Sequence, residues 1–446
     1  MSLGKRAYAS TTQDRASDPQ FAIDNSASTR WASGIAANAW YMVDLGAPAQ
    51  ISRVEIDWET AFSSRYLIEV SNDRTTWTPA STVVTKTMNG NTLPPLADRV
   101  NITASGTWRY VRMNSTERGW RAGDGSQYGV SMYDFRVYGT GGSSTMPDPI
   151  PGPAAPGNGP YQLVWSDEFD SAATPTPVDT GKWDYEIGDG CPSLCGWGNG
   201  ERQYYTNNIE NVFMQNGLLN ITLRKNHLNR AYTSGRLKTL GKYEFTYGRV
   251  AARIRIQTPP SSGPGAKDGP VAVWGAFWTL GKDVVDPYVG WPHSGELDVM
   301  ENIGYSWWYS SALHGPGYYG GGSIGGSYNK TDSSTGVVLG NLPEYRSGDW
   351  NEYEMEWGPD QVEFRLNGRT FRTVTRAEVE ARGYWVYDKP NFLILNLAYD
   401  GAYPRGYRTN PQNFTGATTS NGLPTVAENA FPHTMQVDWV RVYQRR

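Results

Sequence analysis

Single apolar and polar residues alternate through most of this chain, and this pattern restricts what it can fold into. In ISRVEIDWE, Val54, Ile56 and Trp58 share one face of an extended strand, and charged residues separate them. The same alternation recurs in LLNITLRK, at 218–225, and in RVAARIRI, at 249–256. A period of two places one face on a core and the other in solvent, as in antiparallel sheets. The sequence therefore predicts an all-β protein.

A stretch rich in glycine, proline and serine divides the chain. Residues 139–160, GTGGSSTMPDPIPGPAAPGNGP, lack an apolar period and are typical of a semi-extended tether. The chain has 446 residues, more than one core ordinarily accommodates. We therefore predict two β-sandwich or jelly-roll domains, at 1–138 and 161–446, joined by this Gly/Pro/Ser linker. Only RAEVEAR, at 376–382, has the period of a helix.

Charge and composition narrow the possible functions. The net charge is −4, and Lys and Arg form no basic tract, so neither nucleic acid nor an anionic membrane is an expected partner. No apolar run approaches the roughly 18 residues needed to span a bilayer. The chain has 18 Trp and 28 Tyr, and aromatic rings on a surface stack on sugar faces, although any single Trp is as readily a core residue. With four His, a catalytic transition-metal cluster is not expected.

Two cysteines, Cys191 and Cys195 in GCPSLCGWGN, stand close together in the chain. Zinc takes four ligands, or three and a water, so this pair alone is a weak zinc signal. A disulfide across a tight loop is the interpretation we favour, and two buried thiols are the alternative. Because disulfides persist in oxidising compartments, we expect a secreted, extracellular protein.

Three acidic residues lie within an otherwise apolar segment. GELDVMENIG, at 295–304, contains Glu296, Asp298 and Glu301. On a regular strand the first two share a face and Glu301 points away. One extra residue, a β-bulge at Val299-Met300, would turn Glu301 back to the same face.

A sheet has no structural need for three carboxylates on one face, because like charges repel. A solvated strand face or a calcium site is the alternative, but a rigid strand presents few oxygens around one point. Retaining glycoside hydrolysis uses one carboxylate as nucleophile and a second, protonated one as acid and then base, about 5–5.5 Å apart. A third acid between them shares a proton with the nucleophile and separates the neighbouring pKa values. The spacing therefore favours glycosidase chemistry.

These residues resemble a known family. WPHSGELDVME, at 291–301, is similar to the Glu-x-Asp-x-x-Glu signature of glycoside hydrolase family 16, in its laminarinase-like, endo-β-1,3-glucanase branch. Other segments follow in the family's order, so the resemblance covers 161–446: VWSDEF, CGWGNGERQYYT, YTSGRLKT, YGRVAARIRI, GAFWTLG, WNEYEMEWGPDQVEF, FLILNLA and VDWVRVYQ. The resemblance implies a β-jelly-roll with a substrate groove across its concave sheet.

The resemblance also implies roles for individual residues. Glu296 matches the nucleophile, Asp298 the residue that assists it, and Glu301 the acid/base. Trp278 and Trp291 are expected to stack on sugar rings, although Trp278 is as readily a core residue. The remaining cleft candidates are Asn199, Glu201, Arg253 and His314. The last two are expected to bind hydroxyls near the scissile bond, with a structural role as the alternative for the histidine.

The implied substrate is a laminarin-type β-1,3-glucan, cleaved at internal bonds. Two alternatives remain open. One is the same chemistry on mixed-linkage β-glucan, agarose or carrageenan. The other is a non-catalytic β-glucan-binding protein, and the presence of Glu296 and Glu301 counts against it. No cofactor is expected for catalysis, but the resemblance implies a structural Ca²⁺ at Glu168, Gly217 and Asp438.

Segments of the first domain resemble a discoidin-type (coagulation factor 5/8 type C) module, whose bacterial relatives are carbohydrate-binding module family 32. They are FAIDNSASTRWASG, WYMVDLG, RYLIEVSNDRTTW, RYVRM and SMYDFRVYGT. The resemblance implies a Ca²⁺ site at Asp24, Thr29 and Asp134, and sugar contacts from Arg30, Glu59, Trp120 and Tyr128. Such a module would concentrate the enzyme on an insoluble polymer. We expect a monomer.

Overall fold

The structure is a computed structural model. It describes residues 1–3, 5–13, 17–35, 38–118, 128–143, 159–257, 272–286, 288–304, 308–329, 345, 347–409 and 431–445. Within these ranges strands dominate, so the prediction of an all-β protein is confirmed. The chain forms two compact units, one mainly of Met1–Pro151 and the other mainly of Gly152–Val285 and Trp291–Arg446. None of the described helices is long and apolar enough to cross a membrane.

The first unit is a β-sandwich. Its described strands are β1 (Arg6–Ala9), β2 (Trp31–Ala32), β3 (Ala39–Trp58), β4 (Ser63–Ser71), β5 (Thr78–Pro79), β6 (Val84–Thr85), β7 (Ala97–Asn101), β8 (Trp108–Arg118) and β9 (Ser131–Gly141). A short 3-10 turn, Pro19–Ala22, precedes β2. The first half of β3 pairs with β1 and β8, and its second half pairs with β7 and β9. The change of partners follows Gly46, whose φ of 83° favours glycine.

The second unit also consists mainly of strands. These are β10 (Tyr161–Asp167), β11 (Asp184–Tyr185), β12 (Tyr204–Tyr205), β13 (Val212–Gln215), β14 (Leu218–His227), β15 (Arg230–Ser234), β16 (Arg236–Lys238), β17 (Gly248–Gln257) and β18 (Val273–Gly281). After them come β19 (Glu296–Asn302), β20 (Trp308–His314), β21 (Ile324–Asn329), β22 (Asn351–Trp357), β23 (Gln361–Leu366), β24 (Arg369–Thr375), α1 (Arg376–Glu380), β25 (Asn391–Tyr399), α2 (Ala402–Thr409) and β26 (His433–Arg445). Helix α1 falls where the sequence predicted a helix.

The strands of the second unit form two sheets. The β19 sheet has the order β11-β16-β25-β18-β19-β20-β21. The β26 sheet has the order β12-β15-β14-β26-β17-β22-β23-β24, with β10 beside β26 and β13 beside β14. Apolar side chains of both sheets fill one core between them. In β17 the inward residues are the alternating Val250, Ala252, Ile254 and Ile256, as the sequence pattern predicted. This core fixes which face of the β19 sheet is left for function.

The core contact between β18 and β19 gives a test of this packing. Phe277 of β18 is fully buried and lies opposite Met300 of β19. We expect Phe277→Ala to lower the free energy of unfolding of the second unit by about 3–5 kcal/mol, because it removes a large buried ring and leaves a cavity. Leu163→Ala, whose side chain is 52% exposed on β10, is the control and should cost about 0.5 kcal/mol or less. Urea unfolding and calorimetry of the full chain measure both losses, and equal losses would contradict the buried position of Phe277.

Candidate active site

The strand β19 carries the three acidic residues, and its pairing shifts between them. Consecutive residues of β18 lie opposite Asp298 and Met300, so Val299 is the extra residue. On the other side, the pairing with β20 shifts between Asp298 and Glu301. The predicted β-bulge at Val299-Met300 is therefore confirmed.

The bulge re-aims the last acid. Leu297, Val299 and Met300 all pack in the core between the two sheets. Because two successive residues face inward at the bulge, Glu301 returns to the outer face of the sheet, where the other two acids lie. A strand that packs its apolar residues in a core thus presents three carboxyl groups on one side.

His314 joins two of the carboxyl groups. It lies opposite Glu296 on β20, and its Nε2 is 3.8 Å from Glu296 Oε1 and 3.1 Å from Asp298 Oδ2. The backbone N–H of Gly320 donates to His314 Nδ1 at 3.1 Å. In the neutral imidazole the proton is therefore on Nε2 and faces the acids. These three side chains also offer ligand atoms within 4.8 Å of one another, close enough to hold a metal ion.

Burial is the main cause of a high proton affinity in this group. It raises the pKa of Glu296 to about 8, and Asp298 adds to the rise, whereas His314 and Trp291 oppose it. Burial likewise raises the pKa of Asp298, against a hydrogen bond with Glu296 that lowers it. Burial, and then the charge of Asp298, raises the pKa of Glu301 well above its usual value. Near neutral pH the site therefore retains protons, as a general acid requires.

Both predicted tryptophans lie beside the acids. The Trp291 indole donates from Nε1 to Glu296 Oε2 at 3.0 Å, and its side chain is 45% exposed. Trp278 lies opposite Asp298 on β18 and donates from Nε1 to Asn396 Oδ1 at 2.8 Å. Each ring is held by its nitrogen, which leaves the exposed face of Trp291 available for stacking on a sugar.

Asn199 and Glu201 are connected by hydrogen bonds to Trp278, the tryptophan that lies opposite Asp298. Asn199 Nδ2 donates to Glu201 Oε1 at 3.2 Å, and the Tyr205 hydroxyl donates to Glu201 Oε2 at 3.2 Å. Tyr205 in turn accepts a hydrogen bond from Asn396 Nδ2 at 3.2 Å, and Asn396 holds Trp278. The structure therefore brings these two predicted residues into one network with Trp278.

The loop before Asn199 contains the cysteine pair. Cys191 and Cys195 are bonded to each other, as the sequence analysis favoured. The Trp197 indole donates from Nε1 to Gly188 O at 3.3 Å, which folds the loop back on itself. The disulfide therefore belongs to the loop that presents Asn199.

Arg236, on β16, is a site residue that the sequence analysis missed. Its guanidinium lies 4.5 Å from the Trp197 ring centroid and 4.9 Å from that of Trp278, and it forms an ion pair with Glu186. Its positive charge helps to lower the pKa of Glu296. The available signal was its place in YTSGRLKT, a segment that carried the family resemblance without an assigned role.

The structure corrects the prediction for Arg253. This residue lies on β17 in the β26 sheet, between Ala252 and Ile254, which both face the core. Its side chain therefore points away from β19. It pairs with Asp438, and its guanidinium lies 4.9 Å from the Trp350 ring centroid. The alternation of RVAARIRI, which predicted the strand, also excludes this arginine from the cleft.

The residues expected to bind Ca²⁺ in the second unit are paired with arginines. Glu168 accepts hydrogen bonds from Arg441 Nε at 3.0 Å and from Arg441 Nη2 at 2.7 Å, and Asp438 pairs with Arg253. Gly217 lies in the turn between β13 and β14, with a φ of 72°. A calcium ion requires several oxygen ligands and would have to displace both guanidinium groups. The arrangement therefore does not fit the ion as it stands.

Two of the residues expected to bind Ca²⁺ in the first unit are in contact. Thr29 Oγ1 donates to Asp24 Oδ2 at 2.7 Å. Burial raises the pKa of Asp134, and the charges of Asp57 and Asp24 add to the rise, although Arg136 opposes it. Asp134 also forms an ion pair with Arg136 at 2.7 Å, so a calcium ion bound here would have to displace that guanidinium, as in the second unit.

Two of the predicted sugar contacts meet at one end of the first unit. Arg30 Nη1 lies 3.6 Å from Glu59 Oε2 and donates to Ser131 Oγ at 3.3 Å. Tyr128 is half-buried just before β9. Trp120 lies outside the described residues.

Comparison with known proteins agrees with this arrangement. The family described as glycosyl hydrolases family 16 matches residues 199–440, which is more than half of the chain. The F5/8 type C domain matches residues 6–129. The chain belongs to glycosyl hydrolases family 16 and carries a discoidin-type domain before the catalytic domain. It is therefore a glycoside hydrolase.

Three similar proteins indicate which members of the family this chain resembles. Glucan endo-1,3-beta-glucosidase A1 of Niallia circulans is 33% identical over 315 residues, which are 66% of this chain and 39% of that protein. Beta-glucanase of Rhodothermus marinus is 33% identical over 291 residues, which are 64% of this chain and 85% of that protein. The laminarinase catalytic domain of Thermotoga maritima MSB8 has a TM-score of 0.50 and 34% identity, covering 64% of this chain and 99% of that chain. The chain thus spans less than half of the first relative and most of the second.

The raised pKa of Glu301 predicts a pH-dependent stability. The folded protein keeps a proton on this carboxyl, whereas the unfolded chain releases it as the pH rises through the ordinary glutamate range. Stability is therefore lost as the pH rises. We expect Glu301→Gln, which cannot ionise, to melt at a higher temperature than the natural protein near pH 8, with a difference that shrinks towards about pH 4. Thermal unfolding at several pH values measures this difference.

Glu380→Gln is the matched control for this measurement. The Glu380 side chain is 52% exposed on α1, so the substitution should not change how the melting temperature depends on pH above about pH 6. A Glu301→Gln protein that melts below the natural one near pH 8 would contradict the raised pKa.

Proposed function

We propose that this chain is an endo-1,3-β-glucanase that cleaves internal bonds of laminarin-type glucans and retains the anomeric configuration. The bulge on β19 carries the proposal, because it gives one strand a half-buried nucleophile candidate and a second, proton-holding acid on the same face. The names of the relatives, glucan endo-1,3-beta-glucosidase and laminarinase, support the β-1,3 preference.

In the first step, a carboxylate oxygen of Glu296 attacks the anomeric carbon of the glucosyl unit. A bond from this oxygen to carbon forms as the glycosidic bond breaks, and Glu301 donates its proton to the departing oxygen. Trp291 and His314 both lower the pKa of Glu296, which favours the ionised nucleophile. Asp298 shares a hydrogen bond with Glu296 that favours the ionised form of Asp298, so Asp298 is placed to take up the proton when Glu296 ionises.

In the second step, Glu301 is the base. Its carboxylate takes a proton from a water molecule, and the water oxygen attacks the anomeric carbon. The bond to Glu296 breaks, and the free carboxylate of Glu296 is restored. Because each step inverts the same carbon, the product retains the β configuration of the substrate.

The first domain is proposed to bind carbohydrate. Arg30 and Glu59 lie together at one end of its sandwich and offer charged hydrogen-bonding groups to sugar hydroxyls. Tethering such a domain to the hydrolase raises the effective concentration of the enzyme on a polymer. The disulfide between Cys191 and Cys195 supports export to an oxidising compartment, so we propose a secreted enzyme.

Replacement of the nucleophile tests the assigned roles. We expect Glu296→Ser to lower kcat on laminarin by about 10⁴-fold or more, because no covalent intermediate forms, while laminarin is still bound. Reducing-end release measures turnover, and calorimetry measures binding. Glu380→Ser, on the exposed face of α1, should keep its activity. Near-normal rates in Glu296→Ser would remove Glu296 from the mechanism.

A panel of polysaccharides tests the substrate. We expect release of oligosaccharides from laminarin, with weaker release from mixed-linkage β-glucan and none from agarose or carrageenan. Proton NMR at early times should show the β-anomer of the new reducing ends first, since the mechanism retains configuration. Cleavage of agarose or carrageenan but not laminarin would replace the substrate, and binding of laminarin without any cleavage would indicate a glucan-binding protein.

A further inference from the structure

Tyr403 is an aromatic residue that neither the sequence analysis nor the proposed mechanism uses. It is the second residue of α2, directly after the strand β25. Its ring lies edge-on to Trp274, with centroids 5.7 Å apart, and 6.5 Å from the ring of Trp308. Its hydroxyl lies 2.9 Å from Ser310 Oγ. Tyr403 therefore contacts residues of both strands that flank β19.

Two of these contacts are immediate neighbours of Glu301. Ser310 is the residue directly opposite Glu301 on β20, and side chains in such a pair are about 4.5–5.5 Å apart at Cβ. On the other side Ala276 of β18 lies opposite Glu301, and Trp274 follows on the same face two residues earlier. The Trp274 indole lies near enough to Glu301 to lower its pKa, against the larger effect of burial. Tyr403 thus contacts a neighbour of Glu301 on each of the two flanking strands.

The segment that carries Tyr403 is itself braced. Arg405 donates to both carboxylate oxygens of Asp400 at 3.1 Å and to the Gly200 carbonyl at 3.0 Å. Gly401 has a φ of 116°, and a Cβ there would lie 3.3 Å from the Asn199 carbonyl and 3.3 Å from the Trp274 ring. The start of α2 therefore packs closely between the Asn199 loop and Trp274, which fixes the tyrosine in place.

We propose that Tyr403 is a positioning residue for the acid/base: its ring fixes Trp274 and its hydroxyl fixes Ser310, so that Glu301 is held ready to protonate the leaving oxygen. The proposal rests on the proposed function, because Glu301 is an acid catalyst only there. A general acid must lie within hydrogen-bond reach of the oxygen that it protonates. A misplacement of about 1 Å costs on the order of 10²-fold in rate.

The positioning role of Tyr403 can be detected in how kcat/KM depends on the leaving group of the substrate. A sugar alkoxide leaves only with the proton of the acid, whereas 2,4-dinitrophenolate leaves without a proton. Because kcat/KM reports the first chemical step, a displaced acid slows laminarin cleavage and spares a dinitrophenyl glycoside. A general loss of folding or of substrate binding slows both substrates.

The test compares Tyr403→Ala and Tyr403→Phe on laminarin and on 2,4-dinitrophenyl β-laminaribioside. We expect Tyr403→Ala to lower kcat/KM on laminarin by about 10²-fold and to change it on the aryl glycoside by less than about threefold. Tyr403→Phe keeps the ring and loses the hydroxyl, so it should show a smaller loss that is again confined to laminarin.

Tyr319→Ala is the matched control. Tyr319 packs edge-on to Trp291, with centroids 5.2 Å apart, on the side of Glu296. Its removal should lower kcat/KM on both substrates by the same factor. An equal loss on both substrates in Tyr403→Ala, or no loss, would overturn the proposal, and Tyr403→Phe decides in the same way if the alanine variant does not fold. A natural protein that cleaves neither substrate would refute the proposed function instead.

Discussion

The single extra residue in β19 is the constraint on which the site depends. Val299 and Met300 both pack in the core, so the strand must bend at this point. Without the insertion, the two-residue period would direct Glu301 into the same core. An unpaired carboxyl buried there would cost several kcal/mol. The burial of two apolar side chains thus holds the third acid on the outer face of the sheet.

The clustering of three carboxyl groups on β19 suits catalysis but lowers the stability of the folded protein. Burial and mutual repulsion raise the pKa of Glu296 and of Glu301, so the folded protein is penalised when these carboxyls ionise. The surrounding sheet tolerates the penalty because a large core supports it. The two glutamates have different tryptophan partners: Trp291 opposes the rise in pKa for Glu296 and Trp274 opposes it for Glu301, while His314 opposes it for both. Separate surroundings for two glutamates are what acid and nucleophile require.

The sequence predicted the strands, the bulge and the acids because each depends on local alternation. The same alternation, applied to RVAARIRI, would have excluded Arg253 from the cleft, and family matching alone placed it there wrongly. Arg236 and Tyr403 were missed for another reason. Their contacts with Trp278 and Ser310 join segments far apart in the chain, and no local pattern records such contacts. Contacts between distant elements are set by the tertiary structure, so they can be identified only once the fold is known.

The most direct measurement is covalent trapping on the natural protein. A 2-deoxy-2-fluoro-β-laminaribiosyl fluoride reacts in the first step and is hydrolysed slowly in the second, because fluorine destabilises the oxocarbenium-like transition state. Mass spectrometry of the digested protein should find one laminaribiosyl adduct, attached to Glu296 in the peptide that spans the bulge. An adduct on Glu301 or on another carboxylate, or products of inverted configuration without any adduct, would contradict the account.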